Sequence, residues 1–323
     1  MTEKRKPLPN ADYHEGIQFA KSGDHSMAEK SFRKALLQEP NNPEILSNLG
    51  VSLDLQFKRE EAEAIFREAV KRFPEYSFAW YSLGHLLGKE ARYEEAEESC
   101  LRAIELDPEY YDAWQCLGDI YISQQQWEEA VHAYEKAVEI DAGKYRGWFN
   151  LGISYENIGY LENAKRVFKE AIDLNQSDER GWIRLALVLK QNEDWDEAEF
   201  TFLKAIELSP DNYGLFYELA LVYHEMEKWE KSAETIRRYL EFEPDHKEAM
   251  LGLGLALDKL SRFDEEEVVY RRVLELDSED VEAWLALGMT LIQQNRPEEA
   301  LSAFERAAAL GSKTAEEVLL QLP

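Results

Sequence analysis

The sequence lacks the features that mark a secreted or membrane-spanning protein. Only two cysteines occur in 323 residues, which is too few for a disulfide framework. No apolar run approaches the roughly 18 residues that a membrane-spanning helix needs. The start, MTEKRKPLPN, is charged and has no apolar segment after it, so we expect no secretory signal. These absences predict a cytoplasmic protein.

Basic residues are also scarce. The chain has 37 lysines and arginines against 65 aspartates and glutamates, a net charge of −28. Proteins that bind nucleic acid present basic surface to the phosphates, and an anionic membrane makes the same demand. We therefore expect neither nucleic acid nor a membrane as a partner.

Catalytic and metal-binding motifs are missing as well. The six histidines show no HExxH or other ligand spacing. No nucleophile has a recognisable base and orienting group beside it. We therefore expect no enzyme activity, no cofactor and no metal site.

A fixed period of 34 residues dominates what is present. Trp80, Trp114, Trp148 and Trp182 follow one another at this spacing, and Trp284 lies on the same grid three periods later. Such a period is typical of an array of helix–turn–helix repeats. Nine frames cover residues 9–314 without a gap, and they begin at residues 9, 43, 77, 111, 145, 179, 213, 247 and 281.

The residue types within the frame predict two helices per repeat. Positions 4, 7, 8 and 11 share one helix face, and positions 20, 24, 27 and 28 share another. Small residues at positions 8, 20 and 27 allow close backbone approach, and large ones at positions 4 and 24 fill the remaining space. Proline at position 32 ends the second helix. The frame predicts a first helix over about positions 1–14 and a second over about 17–30.

The chain resembles the tetratricopeptide repeat (TPR) family over almost its whole length, because six marked positions recur in one frame without insertion. The resemblance implies an all-α fold, an α-solenoid superhelix of helix–turn–helix repeats. Residues 1–8 would form an N-terminal tail, residues 9–314 nine TPR repeats, and residues 315–323 a short C-terminal capping helix, with Thr314 as its N-cap. It also implies a non-catalytic scaffold that binds a peptide or helix of a partner protein in a concave groove. Positions 2, 5, 6, 9, 12 and 13 would line that groove.

Aromatic residues recur at groove position 5. Tyr81, Phe149 and Tyr217 occupy it in alternate repeats. Flat, rigid rings of this kind are common anchors for partner side chains. Alternatively, they fill the seam between neighbouring first helices.

A small basic cluster departs from the acidic background. Groove positions 2, 6 and 12 of the repeats that begin at 145 and 179 hold Arg146, Asn150, Arg180, Arg184 and Lys190. They resemble part of the carboxylate clamp by which co-chaperone members of the family grip acidic C-terminal tails. The preceding repeat departs from the clamp, since it has Gln115 and Asp119 where the clamp has Lys and Asn. Alternatively, Arg180 and Arg184 pair with Asp119, Glu156 or Glu218 inside the groove.

Two further features bear on packing and assembly. Glu266 stands at position 20, where other repeats favour alanine, so its carboxylate must turn outward or find a partner. Leu320 is left over by the C-terminal helix and is expected to be exposed. We expect a monomer, with a weak end-to-end dimer as the alternative.

Overall fold

The computed structural model describes residues 10–321, and those residues contain nineteen α-helices and no strand. The helices are α1 Ala11–Lys21, α2 His25–Gln38, α3 Pro43–Asp54, α4 Arg59–Arg72, α5 Ser77–Lys89, α6 Tyr93–Leu106, α7 Tyr111–Ser123, α8 Trp127–Ile140, α9 Tyr145–Asn157, α10 Leu161–Leu174, α11 Glu179–Gln191, α12 Trp195–Leu208, α13 Gly214–Glu225, α14 Trp229–Leu240, α15 Lys247–Lys259, α16 Phe263–Leu276, α17 Val281–Gln293, α18 Pro297–Ala309 and α19 Lys313–Gln321. The predicted all-α solenoid of helical repeats is confirmed. The predicted tail, residues 1–8, lies outside the described residues.

The chain forms two compact units, Met1–Leu174 and Asn175–Pro323. Each is a stack of helix pairs in which consecutive helices pack on each other. We call the first helix of each pair, odd-numbered from α1 to α17, an A helix and its even-numbered companion a B helix. The B helix α4 spans positions 17–30 of its frame, as predicted, whereas the A helix α5 ends at position 13, one residue early.

The early end of the A helices has a backbone cause. Position 15 has a positive φ in every repeat, and the residues there are Gly23, Phe57, Ala91, Gln125, Gly159, Glu193, Glu227, Ser261 and Asn295. A left-handed residue cannot continue a right-handed helix, so it turns the chain towards the B helix. Glycine adopts this conformation without steric strain in only two of the nine turns.

In most repeats the two helices of a pair pack closely at a glycine of the A helix. A Cβ atom on Gly152 would lie 2.5 Å from Cε1 of Phe168, whose ring is fully buried on the facing B helix. The same arrangement of glycine under a ring recurs at Gly16, Gly50, Gly118, Gly254 and Gly288. The absence of a Cβ therefore sets how closely the A and B helices approach.

The tryptophans at position 4 fasten the turns between repeats. The indole Nε1 of Trp80 donates to the carbonyl oxygen of Pro74 at 2.9 Å, and that of Trp148 to Ala142 at 2.8 Å. Trp114, Trp182 and Trp284 make the same bond to the carbonyl six residues earlier. The indole N–H groups of all five tryptophans are therefore hydrogen-bonded within the array, and none of the five is left to form a ligand cage.

Many of the acidic residues are paired along the B helices. Arg67 bonds Glu63 of its own helix and Glu95 of the next B helix, both at 2.7 Å. Arg92 bonds the same two carboxylates, at 2.8 and 2.6 Å. Each exposed pair contributes little by itself, but the pairs link the B helices of neighbouring repeats.

Glu266 turns inward, which resolves the question its position raised. It is 3% exposed, and its Oε1 accepts a hydrogen bond of 2.9 Å from the Thr290 hydroxyl, while its Oε2 has no partner in residues 10–321. Burial raises the pKa of Glu266 to about 7, the negative charge of Asp258 adds to the rise, and the Thr290 bond opposes it.

The C-terminal helix begins earlier than expected. It starts at Lys313 rather than residue 315, and the Ser312 hydroxyl, not Thr314, accepts the hydrogen bond from the Ala315 backbone N–H at 3.2 Å. Val318 and Leu319 pack on the last repeat. Leu320 is 86% exposed, as predicted.

We predict that Gly152→Ala lowers the free energy of unfolding by about 1–3 kcal/mol, because the new methyl group overpacks the contact with Phe168. Ala186 fills the equivalent position in the next repeat, so Ala186→Gly is the matched control, with a cost of at most about 1 kcal/mol from helix propensity. Urea unfolding of both variants measures the difference. Equal losses would show that the glycine contact does not set the helix spacing.

We predict that Glu266→Gln stabilises the protein at pH 8 but not at pH 4. The raised pKa means that the folded state holds the proton more tightly than the unfolded chain. Stability is therefore fullest below about pH 4, falls between about pH 4 and 7, and stays low above that range. The loss is on the order of 2–3 kcal/mol, and the glutamine variant should be spared it. Urea unfolding at several pH values tests this, and a difference between variant and wild type that does not change with pH would contradict it.

Candidate binding site on the A-helix face

The A helices of the first unit form a continuous face. α3 packs on α5 and α5 on α7, whereas no two B helices in residues 10–321 make a comparable contact. A stack whose helices approach more closely on one side curves towards that side. The A-helix face, formed by α1, α3, α5, α7 and α9, is therefore the inner side of this unit.

The predicted aromatic anchors are half-buried and already in contact with other rings. Tyr81 lies 5.2 Å from Tyr110 between ring centroids, and Phe149 stacks on Tyr145 at 5.5 Å. In the second unit Tyr217 stacks at 5.2 Å on a B-helix ring, that of Tyr239. The rings thus fill part of the seam between helices and keep part of their surface exposed.

Asp119 is the centre of a hydrogen-bond network on this face. Its carboxylate accepts bonds from the Tyr134 hydroxyl at 2.7 Å and the Asn150 amide at 3.1 Å, and it forms an ion pair with Arg146. Burial raises the pKa of Asp119, and these three donors oppose the rise. The structure thus brings Arg146 and Asn150 together, on an acid of the chain itself.

The basic residues of the second unit also have acidic neighbours. Arg180 binds Asp178 through two bonds, of 2.9 and 2.6 Å, and Asp178 in turn caps α11 by accepting from the Arg180 backbone N–H. Lys190 pairs with Glu218 at 2.5 Å. Arg184 is half-buried on the same helix as Arg180. Arg180 thus pairs with Asp178, which was not among the acids named from the sequence, and Glu218, which was named as a partner of the arginines, pairs with Lys190.

A cavity of about 290 Å³ opens on the A-helix face beside Asp119. Its floor is α7, its walls are α5 and the segment that leads into α9, and it is lined by Tyr81, His85, Tyr111, Asp112, Gln115, Cys116, Asp119, Gly143, Lys144, Tyr145 and Arg146. A second cavity of about 300 Å³ shares His85, Cys116, Asp119 and Arg146 with it. The two together could hold a side chain of a partner, with polar groups on all sides.

Gln115 stands out in this cavity. It is 4% exposed, and neither its Nε2 nor its Oε1 has a hydrogen-bond partner in the described part of the chain. A buried amide without partners is costly, so such groups are rare in folded proteins. Gln115 occupies position 5, where Tyr81 and Phe149 stand in the repeats on either side. Gln115 is thus a polar residue at a groove position, which is the sequence signal that could have pointed to the pocket.

The cysteines lie next to each other behind the cavity. The sulfur atoms of Cys100 and Cys116 are 3.1 Å apart, and both thiols are free. The hydrogen bond with Cys116, reinforced by burial, raises the pKa of the Cys100 thiol.

Within residues 10–321, no three His, Cys, Asp or Glu side chains are placed to hold a metal ion. Over the same residues, no helix is long and apolar enough to cross a membrane.

Family models match the repeats. Models described as "Tetratricopeptide repeat" match residues 13–77 and 267–314, and residues 247–280. The model of the cilia and flagella-associated protein 70 C-terminal domain matches residues 77–257, more than half of the chain. No curated protein matches the sequence at a significant level.

Solved structures share the fold at low sequence identity. The C-terminal part of a TPR repeat-containing protein from Cytophaga hutchinsonii is 18% identical with a TM-score of 0.61, covering 75% of this chain and 99% of its own. Pseudomonas aeruginosa pilF is 20% identical with a TM-score of 0.57, covering 68% and 96%. YrrB, described as a TPR protein with an unusual peptide-binding site, is 24% identical with a TM-score of 0.54, covering 57% and 95%.

Proposed function

Because this chain belongs to the tetratricopeptide repeat family, with residues 77–257 matching the cilia and flagella-associated protein 70 C-terminal domain, we propose that it is a non-catalytic scaffold that binds a segment of a partner protein along its A helices. Proteins of this fold generally mediate protein–protein interaction. The observation that carries the proposal is the open, polar cavity on the inner face of the first unit, flanked by partly exposed rings.

The B helices are poor candidates for the binding surface. Many of their large residues, such as Phe168 and Phe202, point into the helix pairs and are fully buried, although others, such as Phe200, are exposed. Many of their outward charges are paired from one repeat to the next. The A helices instead keep exposed ring edges and a cavity, the features on which binding energy usually concentrates.

In the first unit the partner segment would contact Tyr81, Phe149, Asn150 and Arg146. In the second unit Arg180, Arg184, Lys190 and Tyr217 are the corresponding candidates. The rings supply apolar contact, and the network around Asp119 supplies donors at fixed positions. Each basic residue with an acidic partner would keep that partner or exchange it for an acid of the bound segment.

The carboxylate-clamp alternative has no observation in its favour. A clamp needs unpaired donors around an incoming carboxylate, but Asn150 and Arg146 are bonded to Asp119, and Arg180 is bonded to Asp178. A tail carboxylate would have to displace these acids and lie beside the negative charge of Asp119. We therefore do not extend the proposal to acidic C-terminal tails.

We further propose that the protein is monomeric and cytoplasmic. Two buried free thiols in contact suit a reducing compartment. Leu320 is the exposed apolar side chain through which a weak end-to-end dimer would form. Sedimentation over a range of concentrations decides between monomer and dimer.

The scaffold proposal predicts which substitutions weaken binding. Linear peptides are selected from a displayed random library against the full chain, and their affinities for the wild type are measured by calorimetry. Tyr81→Ala and Phe149→Ala should each weaken the selected peptides about tenfold or more, because each removes an anchor ring from the interface.

Phe200→Ala is the matched control. Phe200 is an aromatic residue on the B helix α12 and is 56% exposed, so its loss should leave the affinities unchanged. Circular dichroism checks that all three variants remain folded. If Phe200→Ala weakened binding and the two A-helix variants did not, the partner surface would be on the B helices.

A further inference from the structure

The amide of Gln115 has unused capacity to donate and to accept a hydrogen bond. Its Nε2 carries two donors and its Oε1 accepts, and neither atom is bonded within residues 10–321. The side chain is 4% exposed and lines the cavity of about 290 Å³. An incoming group that both accepts and donates would satisfy it.

The charges around the cavity balance. Asp112 and Asp119 carry negative charge, and Lys144 and Arg146 carry positive charge. Arg146 is paired with Asp119, and Lys144 lies 3.8 Å from Asp141. Burial lowers the pKa of His85, and the positive charge of Lys89 adds to that effect, so this histidine is neutral at pH 7. Both cations of the lining therefore already have an acidic partner, and the cavity offers no unpaired positive charge to a carboxylate.

Hydrogen-bond complementarity separates the possible side chains. A carboxylate could accept from Nε2 of Gln115, but it would face Oε1 and the acids nearby. An ammonium or guanidinium group could donate to Oε1, but it would leave Nε2 unbonded. A carboxamide can donate to Oε1 and accept from Nε2 at once, and it brings no charge that must be desolvated.

The cavity also has room for a side chain. Its volume is about 290 Å³, and the adjoining cavity of about 300 Å³ shares four of its lining residues. Tyr81 on α5 and Tyr145 on α9 also line the cavity and supply ring surface. These rings can pack against the methylene groups of a glutamine or asparagine.

We propose that this cavity is a specificity pocket that takes the carboxamide side chain of an asparagine or glutamine in the partner segment, with Gln115 as the residue that reads it. This inference rests on the proposed scaffold function, and it adds a sequence preference to it. A site whose buried polar groups are satisfied by one side chain discriminates strongly against an isostere that leaves them unpaired. Glutamine and glutamate are such a pair.

The test uses N-acetyl-glutamine methylamide as the probe, with N-acetyl-glutamate methylamide as its isostere. A molecule of this size can bind with a Kd on the order of 1 mM, which NMR titration of the isotope-labelled full chain can measure. The glutamine probe should shift the Gln115 side-chain amide signal and those of its neighbours in a saturable way. The glutamate probe should bind about tenfold more weakly or worse.

Two variants distinguish a role of Gln115 in recognising the probe from a role in folding. Gln115→Leu keeps the size of the side chain and removes both polar atoms, so it should abolish binding of the glutamine probe. Because the wild-type amide is unbonded in the free protein, this variant should be as thermally stable as the wild type or more so. Gln18→Leu, at an exposed glutamine of α1, is the control and should bind the probe normally.

Three results would overturn the inference: equal binding of the two probes, no shift of the Gln115 amide with either, or a lowered Tm in Gln115→Leu. The last would mean that Gln115 is bonded within the free protein, for example through a buried water. The scaffold proposal fails separately. If selected peptides do not depend on Tyr81 and Phe149 while the glutamine probe still titrates Gln115, the pocket stands and the scaffold does not.

Discussion

The fold depends on a close contact between the A and B helices of a pair, which in six of the nine repeats joins a glycine on the A helix to an aromatic ring on the B helix. At Gly152 any Cβ would lie 2.5 Å from the ring of Phe168, so the two helices can close only because that atom is missing. The same contact uses the bulky B-helix residues internally, as the full burial of Phe168 shows. It leaves the A helices, whose opposite side is not covered by a B helix, as the surface available to a partner.

Acidic side chains on both kinds of helix are paired within the protein. The net charge of −28 suggests a surface of free acids, but carboxylates such as Glu63 and Glu95 are held by arginines that link one B helix to the next. On the A helices Asp119 is likewise occupied, by Tyr134, Asn150 and Arg146. Ion pairing leaves the net charge unchanged, so the chain still repels acidic partners at long range, and the proposed recognition on the A helices depends on local hydrogen bonds and rings.

Features that the repeats share could be predicted from the 34-residue period, because the residues that produce them recur at that spacing. The helix pairs, the all-α class and the internal role of the tryptophans came from residues that recur at 34-residue intervals. The left-handed position 15 also recurs, but side chains as different as Phe57, Ala91 and Gly159 stand there, so composition did not reveal it.

Features of a single repeat were harder to predict, because they depend on distances between residues that lie far apart in the chain. The network around Asp119 joins residues 15 to 31 positions apart, and no period indicates which acid an arginine will choose. Glu266 was recognised as an exception, but its inward orientation depends on the Thr290 hydroxyl, 24 residues away. The position of Gln115 in the groove was visible in the sequence, whereas its lack of a hydrogen-bond partner was not.

The central claim is that the partner segment lies on the A helices, and site-specific photo-cross-linking tests it most directly. A benzophenone amino acid is placed at position 81 in one sample and at position 200 in another, and each is irradiated with a selected peptide. The account predicts a cross-linked product at position 81 and none at position 200. A product formed only at position 200 would contradict it.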